Sequence, residues 1–351
     1  MTDPLRQDKP AGRRRLQCAL VIAVVGIMLS GCVEREERIK VDRDGAVTIL
    51  LDYTADTDEE LYVGRVPPNR YGWRTRRWTE DQSDGSVKYR MEALRRIAFG
   101  EDLPGTYSDP ASGEQDLYLE FPTSLVVEVR PDGVYYHFER LYVKRDWAYL
   151  EDITTETLIK EDAEGLAAKA TDELSDSERI RLLEVMTRVE TLKRLAMARR
   201  AYQTITPTDP PDGWLRTRDD LLAAIEEFDY SRINDILESG DTTAGQDAID
   251  AITEAYEVEM DGRITLGLLT YCGYTDSQAR AFDRAYDWHK RHLKYTQDLN
   301  SEGLRIAVEM PGEIVASNAD EQTDNQAVWR FKGEWLHDRD RELLVTSRVR
   351  N

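Results

Sequence analysis

Apolar side chains recur at every second position as far as about Leu150, at every third or fourth from about Glu156 to Asn300, and at every second again from Leu304. A period near 2 belongs to a strand with one buried face, and a period near 3.6 to an amphipathic helix. Three such blocks constrain the fold, because the last strands are few and a stable sheet needs three or more strands with a packed face. They must therefore rejoin the first strands. The expected fold class is α+β: a discontinuous antiparallel β-sheet domain, residues 32–155 with 300–351, interrupted by a long α-helical insertion, residues 156–299.

Turn residues divide the β blocks. Ile39 and Val41 precede Arg43-Asp44-Gly45, after which Val47, Ile49, Leu51 and Tyr53 alternate with their neighbours, which reads as a hairpin. Asp84-Gly85 precedes a second alternating run from Val87 to Ala93. Leu117, Leu119, Phe121, Leu125, Val127 and Val129 share one parity, with Pro122 marking an edge or a break. Pro131-Asp132-Gly133 turns that run into Val134–Val143, so the pairs together read as a meander. In the helical block, Ser175…Glu178 and Thr275…Gln278 have capping-box spacing, in which a hydroxyl and a carboxylate or amide each satisfy an unpaired backbone donor. The first opens a helix with Leu182, Val185, Met186, Val189, Leu192 and Ala196 on one stripe, ended by the prolines after Thr206. Shorter helices are expected around Leu221–Phe228, Ile233–Ser239 and Ala248–Glu257. The second box opens a helix through about Leu299 with Phe282, Tyr286, His289 and Leu293 on one face.

The first 32 residues lie outside this pattern. Arg13-Arg14-Arg15 is followed by an uncharged run from Leu16 to Gly31, short for a membrane-spanning helix, and then by Cys32. The ending Leu29-Ser30-Gly31-Cys32 resembles the lipobox of bacterial lipoprotein precursors. The resemblance implies cleavage of residues 1–31 as a signal peptide and a diacylglycerol on the sulfur of Cys32, which would be the lipid attachment site and hold the protein to a membrane on the extracytoplasmic side of the cell envelope. Two acyl chains anchor stably where one does not. An uncleaved anchor is the alternative, and Arg13-Arg14 also partly resembles a twin-arginine export signal. Seven residues separate Cys32 from Ile39, a tether of about 25 Å at most.

Charge narrows the partners. The 351-residue chain has a net charge of −21, and loss of residues 1–31 would leave −24. So acidic a chain is unsuited to a nucleic-acid backbone or to electrostatic adhesion on anionic lipid, so no nucleic-acid partner is expected and the acyl anchor must hold the membrane. Of three cysteines, Cys18 would leave with the signal and Cys32 would be acylated, which leaves Cys272 without a disulfide partner.

No catalytic residue, metal site or cofactor is assigned. Gly-x-Ser-x-Gly, a phosphate-cradling glycine loop and His-Glu-x-x-His are all absent from the sequence. His289 and His292 have a helical i, i+3 spacing but no specified third ligand, and the acids Asp52, Asp56, Asp58, Glu59 and Glu60 lack the glycine and terminal glutamate of a calcium loop. The candidate ligand-binding residues are Arg70, Tyr71, Trp73, Arg74, Arg77 and Trp78, where aromatic rings and guanidinium groups interleave in an acidic chain. Met310-Pro311-Gly312 through Ser317-Asn318, then Val328-Trp329-Arg330-Phe331, resembles the end of the LppM-type domain of mycobacterial and related lipoproteins. That resemblance implies an extracytoplasmic β-rich domain and a lipid or glycolipid ligand. The expectation is a non-enzymatic, membrane-anchored envelope lipoprotein binding a lipid-like or cell-envelope ligand. The alternatives are a scaffold that binds an envelope protein through its helical insertion, and a secreted hydrolase.

Overall fold

The computed structural model describes residues 33–350 apart from 63–64, 84, 113–118, 146–147, 170–172, 207–211, 228–241 and 301. Cys32 and the whole N-terminal signal-like segment lie outside the described residues. The fold is α+β, and the chain divides into two compact units: Tyr149–Lys290 forms one, and Ala148 with the residues before it joins Arg291 onward in the other.

The β unit holds eleven strands among its described residues: β1 (Glu34–Val41), β2 (Val47–Ala55), β3 (Arg74–Asp81), β4 (Val87–Ile97), β5 (Thr123–Arg130), β6 (Gly133–Tyr142), β7 (Gly303–Glu309), β8 (Glu313–Ser317), β9 (Glu321–Gln322), β10 (Gln326–Lys332) and β11 (Arg341–Val349). They form two sheets and not one meander, in the orders β3-β4-β2-β1-β7-β10-β9 and β5-β6-β11-β8. Strands from both ends of the chain build each sheet. The ladders are antiparallel except β1–β7, where Glu34 lies beside Gly303 and Arg38 beside Ala307 in parallel. That exception follows from connectivity, because the helical block returns the chain to the end of the sheet at which β1 begins.

Two strand boundaries differ from the sequence pattern. β1 starts at Glu34, five residues before Ile39, so the expected tether is strand. Its charged residues hide the alternation, yet Arg35, Glu37, Ile39 and Val41 all face inward. β5 starts at Thr123 because Pro122 has no donor for a ladder. Leu119 and Phe121 are buried ahead of it, and Leu117 lies outside the described residues. At the hairpin turns Gly45 has φ 81°, and a Cβ there would run into the ring of Phe99.

Asn318 ties the C-terminal strands of the two sheets together. Its side-chain oxygen accepts from Trp329 Nε1 on β10 and from the backbone N–H of Leu344 on β11, both at 2.9 Å, and its Nδ2 donates to the Glu342 carbonyl at 2.9 Å. Trp329 is fully buried, so its N–H needs that acceptor.

The helices are α1 (Ala148–Lys160), α2 (Glu164–Ala167), α3 (Asp176–Ile205), α4 (Asp212–Glu227), α5 (Thr242–Thr270) and α6 (Asp276–Asn300), with the division between units falling inside α6 after Lys290. Ser175 and Glu178 form the capping box of α3. Thr275 and Gln278 exchange the corresponding bonds at the start of α6, at 3.0 and 3.4 Å. Leu182, Val185 and Val189 of the α3 stripe are buried, while Met186, Leu192 and Ala196 are half-buried. Ala248–Glu257 is not a short helix but part of the 29-residue α5. The segment Ile233–Ser239 lies outside the described residues. Helices α4 and α5 approach closely at Gly267, where a Cβ would collide with the Thr217 side chain.

Candidate functional site

Among the described residues of the β unit, the features with chemical content are a buried ion cluster and an adjoining cleft. On the inner face of β1, Glu37 accepts from Arg35 Nη2 at 3.1 Å and also from Arg140 Nη1 of β6 and the Tyr107 hydroxyl. Arg140 belongs to the other sheet, so the carboxylate joins the two layers. Its row on β6 is Tyr136, Phe138, Arg140 and Tyr142, all at most 3% exposed. The Tyr142 hydroxyl lies 3.4 Å from Glu37 and from Arg35. Arg65 meets Glu302 at 3.4 Å, with both side chains buried. Aromatic rings enclose the cations: the Arg140 guanidinium lies 4.6 Å from the Phe121 ring centre and the Arg35 guanidinium 5.0 Å from that of Tyr107. Burial by itself would raise the Glu37 carboxyl, but the Arg140 and Arg35 charges and the Tyr107 and Arg140 hydrogen bonds hold it below its ordinary value.

Beside this cluster lies a cleft of about 600 Å³ at the end of the seven-stranded sheet where β1 and β7 begin. Leu304 and Phe331 are its buried apolar residues, and Trp335, in the short 3-10 turn Gly333–Leu336, is 47% exposed. Gly303 leaves the space open, since a Cβ there would meet nothing within 4 Å. Arg35 also lines the cleft, with Glu34, Glu36, Arg305, Arg330, Lys332 and Glu334 supplying the remaining polar groups. Glu36 pairs with Arg305 at 2.6 Å and with Arg38 at 3.0 Å, and Arg330 pairs with Glu321.

The six residues expected to bind a ligand fall elsewhere. Arg70, Tyr71 and Trp73 precede β3, and Arg74, Arg77 and Trp78 lie on it, at the edge of the seven-stranded sheet. Trp73 is a core residue, 6% exposed and edge-on to Tyr107 at 5.3 Å. Arg70 pairs with Asp109 and lies 5.1 Å from the Tyr71 ring centre. Arg77 donates to the Leu61 carbonyl at 2.5 Å and faces Asp58 at 3.6 Å. Arg74 is exposed, and Trp78 is half-buried under the Arg76 guanidinium at 4.6 Å. Two of the guanidinium groups thus serve as local counter-charges, and Tyr71 with Arg74 remains at the surface.

The acidic loop after β2 is internally satisfied: Glu60 accepts from the backbone N–H groups of Asp56 and Thr57, and Asp56 pairs with Lys88. His289 is half-buried in α6, and burial with the nearby Arg200 charge lowers its imidazole. Cys272 is a free thiol, half-buried, with its pKa raised by burial. No group of three or more His, Cys, Asp or Glu side chains that could hold a metal occurs among the described residues. No helix among them is long and apolar enough to cross a membrane.

Among solved structures, the chain is similar to the folded domain of Mycobacterium tuberculosis LppM determined by NMR, with a TM-score of 0.32, 8% identity and 92% of each chain covered. No protein-family model matches the chain, and no curated protein matches its sequence. At that level the structural likeness carries no functional argument, so function rests on this chain's own residues.

Proposed function

We propose that this protein is a non-enzymatic envelope lipoprotein, anchored through diacylglycerol on Cys32, whose β unit binds a lipid-like ligand in the cleft beside Trp335. The observation that carries it is position: Glu34 and Arg35 line the cleft, and two residues of chain reach about 7 Å at most. An anchor at Cys32 would hold the cleft at the lipid surface, where an apolar ligand is available. Leu304, Phe331 and Trp335 supply its apolar surface, set among seven charged residues.

Two measurements test this reading. Cys32→Ser should move the protein from the membrane to the soluble fraction or leave it unprocessed; a processed, membrane-bound variant refutes the anchor. Lipid extraction and mass spectrometry of membrane-purified protein should recover a bound lipid that Gly303→Leu, which fills the cleft, removes. Equal recovery from both proteins refutes the cleft.

A second reading is carried by α5. Val258, Leu266 and Leu269 are exposed and lie within an arc of about 80° on one side of that helix. Such an apolar stripe suits a scaffold that docks an envelope protein. Val258→Glu with Leu266→Glu should then abolish co-purification of a stoichiometric partner that the unchanged protein retains.

A further inference from the structure

Among the described residues, β3 and β9 form the edges of one sheet and β5 and β8 those of the other. Three of these edges are guarded against further pairing. β3 carries Arg74, Arg76, Arg77, Glu80 and Asp81, β9 is two residues long, and β8 is five residues long with a bulge in its ladder to β11. Charge, shortness and bulges are the usual devices that stop a sheet from adding a strand. β5 lacks all three. Its sequence, Thr-Ser-Leu-Val-Val-Glu-Val-Arg, holds neither proline nor lysine, and its register with β6 is unbroken from Thr123 to Arg130. Val126 and Val129 are 57% and 79% exposed.

The ladder shows which backbone groups face outward. Leu141 N–H donates to the Pro122 carbonyl and Val143 N–H to the Glu120 carbonyl, both at 3.0 Å, so the even-numbered residues of this run turn toward β6. Phe121, the odd residue between them, turns the other way and donates to the Gly105 carbonyl at 2.7 Å. The alternation continues along the unbroken register. The N–H and C=O groups of Leu125, Val127 and Val129 therefore point away from β6, on the side where no described strand pairs. Their side chains lie beside Phe138, Tyr136 and Val134 of the inner face, yet Leu125 and Val127 are only half-buried. Outward backbone and uncovered apolar side chains coincide.

We propose that this edge pairs with β5 of a second copy of the chain, antiparallel about a two-fold axis at Val127. In that register the two copies of Val127 face each other, and Leu125 faces the second copy's Val129. Every outward-turned residue thus meets another, and the order Leu125-x-Val127-x-Val129 makes the apolar row of one copy continue into the next. Glu128 faces the second copy's Val126, and Arg130 its Ser124, so no like charges stand directly opposite. Glu128 and Arg130 pair with each other at 2.6 Å, which makes β5 a neutral contact on a chain of net charge −21. One strand pair buries on the order of 1,000 Å² or less, at the low end for a specific interface, so the dimer is a weak one.

The test is sedimentation equilibrium of the full-length protein in a neutral detergent, with oxidative cross-linking of cysteine variants to read the register. The unchanged protein should dimerise. Val127→Pro should lower the association constant at least about tenfold, because it removes a central donor from each copy. It should leave the unfolding temperature unchanged, because an outward N–H on an edge strand serves no ladder. Should that variant fail to fold, Val129→Lys, at an exposed position, supplies the same test by placing a charge in the apolar row. Val127→Cys should cross-link above the level of the unchanged protein, since directly opposed Cα atoms lie about 5.5 Å apart, within disulfide range. Val129→Cys should not, because its two copies are about 13 Å apart along the strands. A monomer at every concentration overturns the proposal and leaves the edge to a strand of another protein. A dimer that survives both Val127→Pro and Val129→Lys overturns it as well, and cross-linking of Val129→Cys without Val127→Cys overturns the two-fold axis at Val127.

Discussion

Glu37→Gln is the most informative single change in the β unit. It preserves the shape of the side chain and removes the negative charge that Arg35 and Arg140 share. At the 3.1 Å separation from Arg35, and an effective dielectric constant of about 20, one such attraction amounts to about 5 kcal/mol. Desolvation of the buried ions offsets much of it, and removing one partner from a buried pair costs about 3–5 kcal/mol. That is a large share of a typical stability of about 5–15 kcal/mol. In urea unfolding of the full-length protein followed by tryptophan fluorescence, an m-value of about 1–3 kcal/mol/M converts the loss into a midpoint lower by about 1 M or more. Glu36→Gln, on the outer face of the same strand, should shift the midpoint little, as exposed pairs contribute about 0–1 kcal/mol. The pH dependence has a definite sign. Glu37 is held below its ordinary value in the folded state, so its contribution is present at neutral pH and is lost as the pH falls below the usual carboxylate range, through the folded value. The gap between the unchanged protein and Glu37→Gln should therefore close in acid. A midpoint within about 0.3 M of the unchanged protein, or a gap independent of pH, refutes the role assigned to this cluster.

Three further outcomes follow from local contacts. Asn318→Leu orphans the buried Trp329 N–H, and should cost about 1–3 kcal/mol, read as a lower urea midpoint. Ser175→Ala removes the cap of α3 and should cost about 1 kcal/mol, whereas Ser175→Asp, which caps equally well, should cost almost nothing by the same measurement. Gly267→Ala drives a methyl group into Thr217 and should destabilise the helical unit by about 1–3 kcal/mol; a higher unfolding temperature would contradict the close approach of α4 and α5.

Much of the architecture was legible because periodicity is a local property. The β–α–β order, the hairpins at Gly45 and Gly133, and the capping boxes at Ser175 and Thr275 all follow from residues within a few positions of one another. The cleft and its ion cluster were not legible in that way. Arg35 and Glu37 sit in a run of charges that reads as a linker, and only their shared parity with Ile39 and Val41 marks them as inward-facing. Arg140 left a comparable trace, as the charged member of the row Tyr136, Phe138, Arg140 and Tyr142. A charge in an apolar row signals a buried partner without saying where in the chain that partner lies.

The surface patch shows the complementary limit. Composition brought Arg70, Trp73 and Arg77 together as a group, but packing separates them: Trp73 enters the core, while Arg70 and Arg77 turn to Asp109 and Asp58. The sequence by itself determined the alternation of strand and helix and the lipobox-like ending at Cys32, since each depends on neighbours along the chain. Only the tertiary structure decided that the strands divide between two sheets, that β1 pairs in parallel with β7, and that Glu34 and Arg35 line a cleft. Those outcomes depend on which distant side chains share a buried space, where an unpaired charge is too costly to leave alone.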